Sequence, residues 1–256
     1  MKRRQMMVYT GAGLLTMAAT LSSKEADSAE DNSSLSIQWL GHTCFLFTTR
    51  GARILANPFR TIGCTAKYRL PKVEAGLVLI SSQLLDEGAV EELPNDPRLI
   101  YEPGVYEFNG IQFQGIATNH DRLAGRRFGT NVVWRWTQGG INILHLGGIA
   151  APITLEQKIL MGRPDLLIVP VGGGPKAYGP QEAKQAVQFL NPKLVIPTQY
   201  RTQAADPQKC DLVSVDAFLA LMQDTPVRRN NSDTITIQPD TLPEKGSAIQ
   251  VLTYKF

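Results

Sequence analysis

Ile37-Gln-Trp-Leu-Gly-His-Thr-Cys-Phe-Leu-Phe47 is the stretch on which the fold turns. Two β-rich runs, Ile37 to Leu40 and Cys44 to Thr48, flank Gly41-His42-Thr43, a join short enough for a strand pair. Further strand runs follow at Arg53 to Ala56 and Gly76 to Ser81, each bounded by turn residues. A second set occupies Ile111 to Thr118, Asn131 to Thr137 and Ile141 to Leu146, with Gly139-Gly140 as a hairpin turn between the last two.

Helical spacing is expected in short form at Asp86 to Leu93 and Thr154 to Met161, and in longer form at Pro180 to Leu190 and Leu212 to Met222. Between these segments, Leu166-Leu-Ile-Val-Pro170 and Leu194-Val-Ile-Pro197 are consecutive apolar runs that suit strands buried on both faces. Strand sets and helices in both halves predict an α/β fold, a four-layer αββα sandwich.

The chain of 256 residues is 43% hydrophobic and carries a formal net charge of +3, with no basic block beyond its first few residues. Nucleic acid is therefore not an expected partner. An unidentified small molecule or protein is expected instead. Residues 1–29 read as an export signal, with Lys2, Arg3 and Arg4 before an apolar stretch that ends near Leu21 and a small-polar segment after it. The Arg3-Arg4 pair resembles a twin-arginine signal, which implies a periplasmic or equivalent lumenal destination. A membrane is expected as a partner only through this segment, if it is uncleaved. Residues 30–256 are expected to form one domain.

The three cysteines have no Cys-x-x-Cys spacing. Cys44, inside an apolar run, is expected in the core. A Cys64–Cys210 bridge is compatible with export, but spacing alone does not decide it.

Taken in order, the landmarks resemble the metallo-β-lactamase superfamily, and within it the ascorbate-lactonase-like and N-acyl-phosphatidylethanolamine phospholipase D-like hydrolases. Residues 37–47 look like its opening strand pair, and Leu55-Ala-Asn-Pro-Phe59 is similar to a strand ending in Asp-Pro. Leu77 to Ser81 resembles the strand that feeds the metal loop, Ile116 to His120 and Ile143 to Gly147 the histidine strands, and Ile168 to Gly173 with Val195 to Pro197 the closing pair.

The resemblance implies a metal pair that activates water, held by His-x-His-x-Asp-His after the fourth of these strands. In this sequence that segment reads Ser82, Gln83, Leu84, Leu85, Asp86, Glu87. The position of the bridging aspartate is Gly148, and that of the last histidine is Gln199. With Ser82, Leu84, Gly148 and Gln199 as replaced ligand positions, the expectation is a divergent exported protein without a cofactor, serving as a non-catalytic binding module. The alternative is an active hydrolase of an ester, lactone or phosphodiester with one divalent metal, zinc or similar. For that alternative His145, Asp86 and Glu87 are the candidate ligands, His120 and Asp86 the candidate catalytic groups, and His42 and Arg122 the candidate substrate-binding groups.

Overall fold

A computed structural model describes residues 34–255, so the export-signal reading of residues 1–29 lies outside the described residues. Fourteen strands form two sheets. In the first sheet, β1 (Leu35–Gly41), β2 (Cys44–Thr49) and β3 (Ala52–Ala56) form an antiparallel meander, and β4 (Leu77–Leu79) and β5 (Arg98–Ile100) continue it in parallel. Its other edge is β13 (Thr234–Ile237), which pairs antiparallel with β1, Leu35 facing Ile237.

The second sheet starts with the antiparallel strands β6 (Gly104–Phe108), β7 (Ile111–Asn119), β8 (Thr130–Gln138) and β9 (Ile141–His145). From β9 it runs parallel through β10 (Leu166–Pro170), β11 (Leu194–Thr198), β14 (Ala248–Val251) and β12 (Val227–Arg229). Every residue of β10 and β11 is buried, as their unbroken apolar runs require. In β1 burial alternates residue by residue, the period of a strand with one face in the core.

The sheets meet through large side chains. The Phe47 ring of β2 meets the Trp136 ring of β8 edge-on at 4.9 Å between centroids, and the Trp134 indole donates to the carbonyl of Ile80 across the core at 3.2 Å. Each fully buried side chain of this size contributes about 1.5–3 kcal/mol. Outside, α1 (Leu155–Met161) packs on β7, α2 (Pro180–Leu190) packs on β10, and α3 (Val215–Leu219) packs on α2. The architecture is the expected α/β sandwich, with thin helical layers.

Local chemistry explains the helix boundaries. Thr154 and Gln157 cap α1 reciprocally, the Thr154 hydroxyl accepting from the Gln157 amide and the Gln157 side chain accepting from the Thr154 amide. Pro180 opens α2, and Asn191, left-handed at φ 48°, closes it. Gly139 and Gly140 both have positive φ, the conformation of the predicted hairpin turn.

Two helical expectations fail. Residues 86–93 form turns: the Glu87 and Gly88 amides both donate to the Leu84 carbonyl, and Ala89 is then drawn to Pro58 by a backbone bond. In the Leu212 to Met222 stretch only Val215–Leu219 is α-helical. Val213 is held out of it because its amide donates to Gly172 at 2.8 Å. Among the described residues no helix is long and apolar enough to cross a membrane.

Candidate metal centre and active site

The chemistry-bearing side chains gather where strands end. His42 lies between β1 and β2, the 81–88 loop follows β4, His120 follows β7, Gly147-Gly148 follows β9, and Gln199 follows β11. His42 and Gln199 both take left-handed backbone, at φ 51° and 50°. Such conformations cost non-glycine residues energy and persist only where the surroundings impose them. Here the His42 carbonyl accepts from the Trp39 indole, the Thr198 hydroxyl and the Gln199 amide, which locks the two loops together.

His42 Nε2, one Asp86 oxygen and one Glu87 oxygen lie within 4.8 Å of one another. His42 Nε2 stands 3.6 Å from Asp86 Oδ2, too far for a hydrogen bond. Glu87 is fully buried; its Oε2 accepts from the Ser82 hydroxyl at 2.9 Å and its Oε1 faces the Gln199 amide nitrogen at 3.4 Å. His120, equally buried, brings Nε2 to 3.5 Å from Glu87 Oε2. His42 Nε2, both ring nitrogens of His120 and Gln199 Oε1 have no hydrogen-bond partner among the described residues.

Both carboxylates favour the ionised form. Burial alone would raise the Asp86 pKa, but His42 and then Lys176 outweigh it and hold the group well below the usual carboxylate range. Burial likewise opposes ionisation of Glu87, and the adjacent His120 reverses the balance.

The geometry bears on several site expectations and adds residues to them. His145 is not open for metal binding: its Nε2 bonds the Thr43 carbonyl at 3.0 Å and its Nδ1 accepts from the Gly147 amide at 3.0 Å. Burial pushes its pKa from 6.5 down to about 4, so it is a neutral strut of the fold. Arg122 is not free to bind substrate. Its guanidinium makes two 2.6 Å bonds to Glu182 and reaches the carbonyls of Gly174 and Ala177 at 2.9 and 3.0 Å.

Gly148 has no side chain to offer, and the Glu87 carboxylate fills the adjoining space: a Cβ there would overlap Glu87 Oε1 and come within 2.7 Å of His120 Nε2. Finally, Lys176, which sequence reasoning passed over, places its ammonium directly on Asp86 Oδ2. The signal that preceded it was Gly172-Gly-Gly174-Pro175, the turn that carries it inward. Asn131 was missed as well. It donates to Leu146 and accepts from the Gly148 amide, fixing the turn after β9.

Asp121 shapes the loop after His120. Its carboxylate accepts four backbone amides, those of Leu123, Gly125, Arg127 and Phe128. His42, Asp86, Lys176 and Gln199 face a cleft of about 280 Å³. Its wall includes Cys64, which is bridged to Cys210, while Cys44 is a free, buried thiol as expected.

The donor set is of a kind that suits a divalent ion. Two carboxylates, an imidazole with an unpartnered nitrogen and the nearby His120 nitrogens and Gln199 oxygen are suitable ligand types. Positions 82, 84 and 148 supply a hydroxyl spent on Glu87, an aliphatic side chain and no side chain at all.

The comparisons agree with this class of protein. A family model described as a beta-lactamase superfamily domain matches residues 36–199, and the chain belongs to that family. A metal-dependent hydrolase of Thermoplasma acidophilum is 24% identical over 205 residues, covering 68% of this chain and 88% of the relative. Another, from Thermococcus onnurineus, is 28% identical over 201 residues, covering 68% and 89%. Among solved structures, a candidate Zn-dependent hydrolase of the metallo-β-lactamase superfamily from Thermotoga maritima superimposes with a TM-score of 0.66 at 30% identity, covering 86% of this chain and all of that one.

Proposed function

We propose that the protein is a metal-dependent hydrolase of an ester, lactone or phosphodiester, with one divalent ion held by His42, Asp86 and Glu87. The observation that carries this reading is the cluster itself: three ligand atoms within 4.8 Å of one another, beside buried histidine nitrogens without a hydrogen-bond partner among the described residues. Buried polar atoms need partners, and unpaired ones are costly. Zinc or a similar ion supplies Lewis acidity to a substrate oxygen when bound.

The chain's own groups have distinct roles. Glu87 is oriented by Ser82 and Gln199, and this fixes its carboxylate beside His42 and Asp86. His120, with both ring nitrogens uncommitted and Glu87 at 3.5 Å, is the group placed to hold and deliver a proton. His145 replaces none of these; it keeps the Thr43 and Gly147 backbone in place.

Elemental analysis of the dialysed protein, with turnover assays on p-nitrophenyl acetate, a γ-lactone and bis-p-nitrophenyl phosphate, tests the proposal. One metal per chain and turnover on one substrate class are expected, and both should be lost in Glu87→Ala. A metal-free and inert protein would overturn it.

A second reading, a binding module without catalysis, is favoured by one observation: the Lys176 ammonium already neutralises Asp86. The same assays separate the two. Export to an oxidising compartment is part of the proposal, and the Cys64–Cys210 bridge supports it. Retention of an Arg3→Lys, Arg4→Lys precursor in the cytoplasm would support the twin-arginine route, and normal export would refute that route.

A further inference from the structure

The relation between Lys176 and Asp86 bears directly on the cation site. Lys176 and Asp86 are each only 19% exposed, and the ammonium contacts Oδ2, the same oxygen that faces His42 Nε2. This is not a loose surface pair. The carbonyls of Gly174 and Ala177, on either side of Lys176, are both held by the Arg122 guanidinium, which Glu182 in turn grips with two bonds. The Gly173 amide bonds the Tyr178 carbonyl at 2.8 Å and closes the same loop on itself. The Phe128 ring lies 6.0 Å from the ammonium and covers one side of it.

A divalent ion bound between His42, Asp86 and Glu87 draws on the same carboxylate, and on the His42 side of it that oxygen is the one presented. An ammonium and a divalent ion on this one carboxylate compete, because like charges repel strongly at such separations in a partly buried site. Charge balance points the same way: two carboxylates offset one divalent ion, and the lysine in place leaves an excess positive charge.

We propose that the Lys176 ammonium is a tethered competitor for the cation site, so that an ion binding to His42, Asp86 and Glu87 displaces it from Asp86 into the cleft. Lys176 thereby sets how strongly an ion must bind to load the site. This rests on the reading of those three residues as the cation site, and its experiment separates the two ideas. Apparent affinity falls by the fraction of molecules in which the site is open, so removing the competitor raises it.

Zinc titration by calorimetry into the full protein is expected to show binding on the order of tenfold tighter in Lys176→Met than in the unaltered chain. Lys209→Met, which removes an exposed charge from the wall of the same cleft, is expected to leave affinity unchanged. Equal affinity in Lys176→Met and the unaltered chain overturns the competitor and keeps the metal site. An equal gain in both variants also overturns it, since overall charge then accounts for the effect. No zinc binding in any of the three overturns the metal site and the competitor together.

A measurement on the unaltered chain guards against a misfolded variant. Acetylation of Lys176, followed by mass spectrometry, should rise on zinc saturation as the ammonium leaves Asp86. Unchanged or reduced labelling overturns the proposal.

Discussion

The Glu87 carboxylate occupies the space that any side chain at Gly148 would enter. A Cβ on Gly148 would overlap Glu87 Oε1 and stand 2.7 Å from His120 Nε2, although Glu87 and Gly148 belong to different sheets' loops.

The two positions should therefore be energetically coupled. Gly148→Ala is expected to destabilise the protein by about 1–3 kcal/mol through overpacking, and by clearly less in a Glu87→Gly background. Urea denaturation of the four proteins gives the coupling. Strictly additive effects would show that the two residues do not compete for space.

His145 predicts a pH signature. Its folded-state pKa is depressed from 6.5 to about 4, chiefly by burial. Between those values the unfolded chain binds the proton and the folded chain does not, so this contribution is fully present above pH 6.5 and is lost as pH falls towards 4. The loss amounts to about 3 kcal/mol. Denaturation curves from pH 7 to pH 4 should slope less steeply for His145→Ala than for the unaltered protein. Parallel slopes would mean that the histidine is not held neutral.

Arg122 separates a clamp from an anion site. Arg122→Met should increase hydrogen exchange at residues 173–178, while the β1–β2 hairpin keeps its protection, because the lost bonds all lead to that loop and to Glu182. Inorganic phosphate should not change exchange at residues 120–128 in the unaltered protein. Protection by phosphate there would restore the anion-site reading.

The sandwich was legible because its strands advertise themselves. The buried runs of β10 and β11, the alternation in β1 and the double glycine between β8 and β9 each have one cheap structural solution. The short strands β12, β13 and β14 were not read, since partly polar segments such as Thr234-Ile-Thr-Ile237 gain their strand character from neighbours rather than from pattern. In the site, residue types pointed to His145, Asp86 and Glu87 as ligands, His120 and Asp86 as catalytic groups and His42 with Arg122 as substrate-binding groups, but could not show which atoms were already committed.

His145 was assigned to metal because a sequence does not reveal that the Thr43 carbonyl and the Gly147 amide claim its ring. Lys176 was overlooked for the opposite reason: nothing about one lysine after a glycine turn shows that it lands on Asp86. That the Glu87 carboxylate fills the space beside Gly148 is equally invisible in the sequence, because only shared volume connects the two positions.

The pairing of β1 with β13 has a consequence for how the chain is made. Leu35, at the start of the first sheet, pairs with Ile237, a residue far along the chain. Until that late segment leaves the ribosome, the backbone groups on the outer side of β1 form an open edge, apt to recruit a strand from another chain. So distant a contact also slows folding, because loop closure must precede its reward. A nascent chain of this design completes its first sheet only once residues 234–237 have been made.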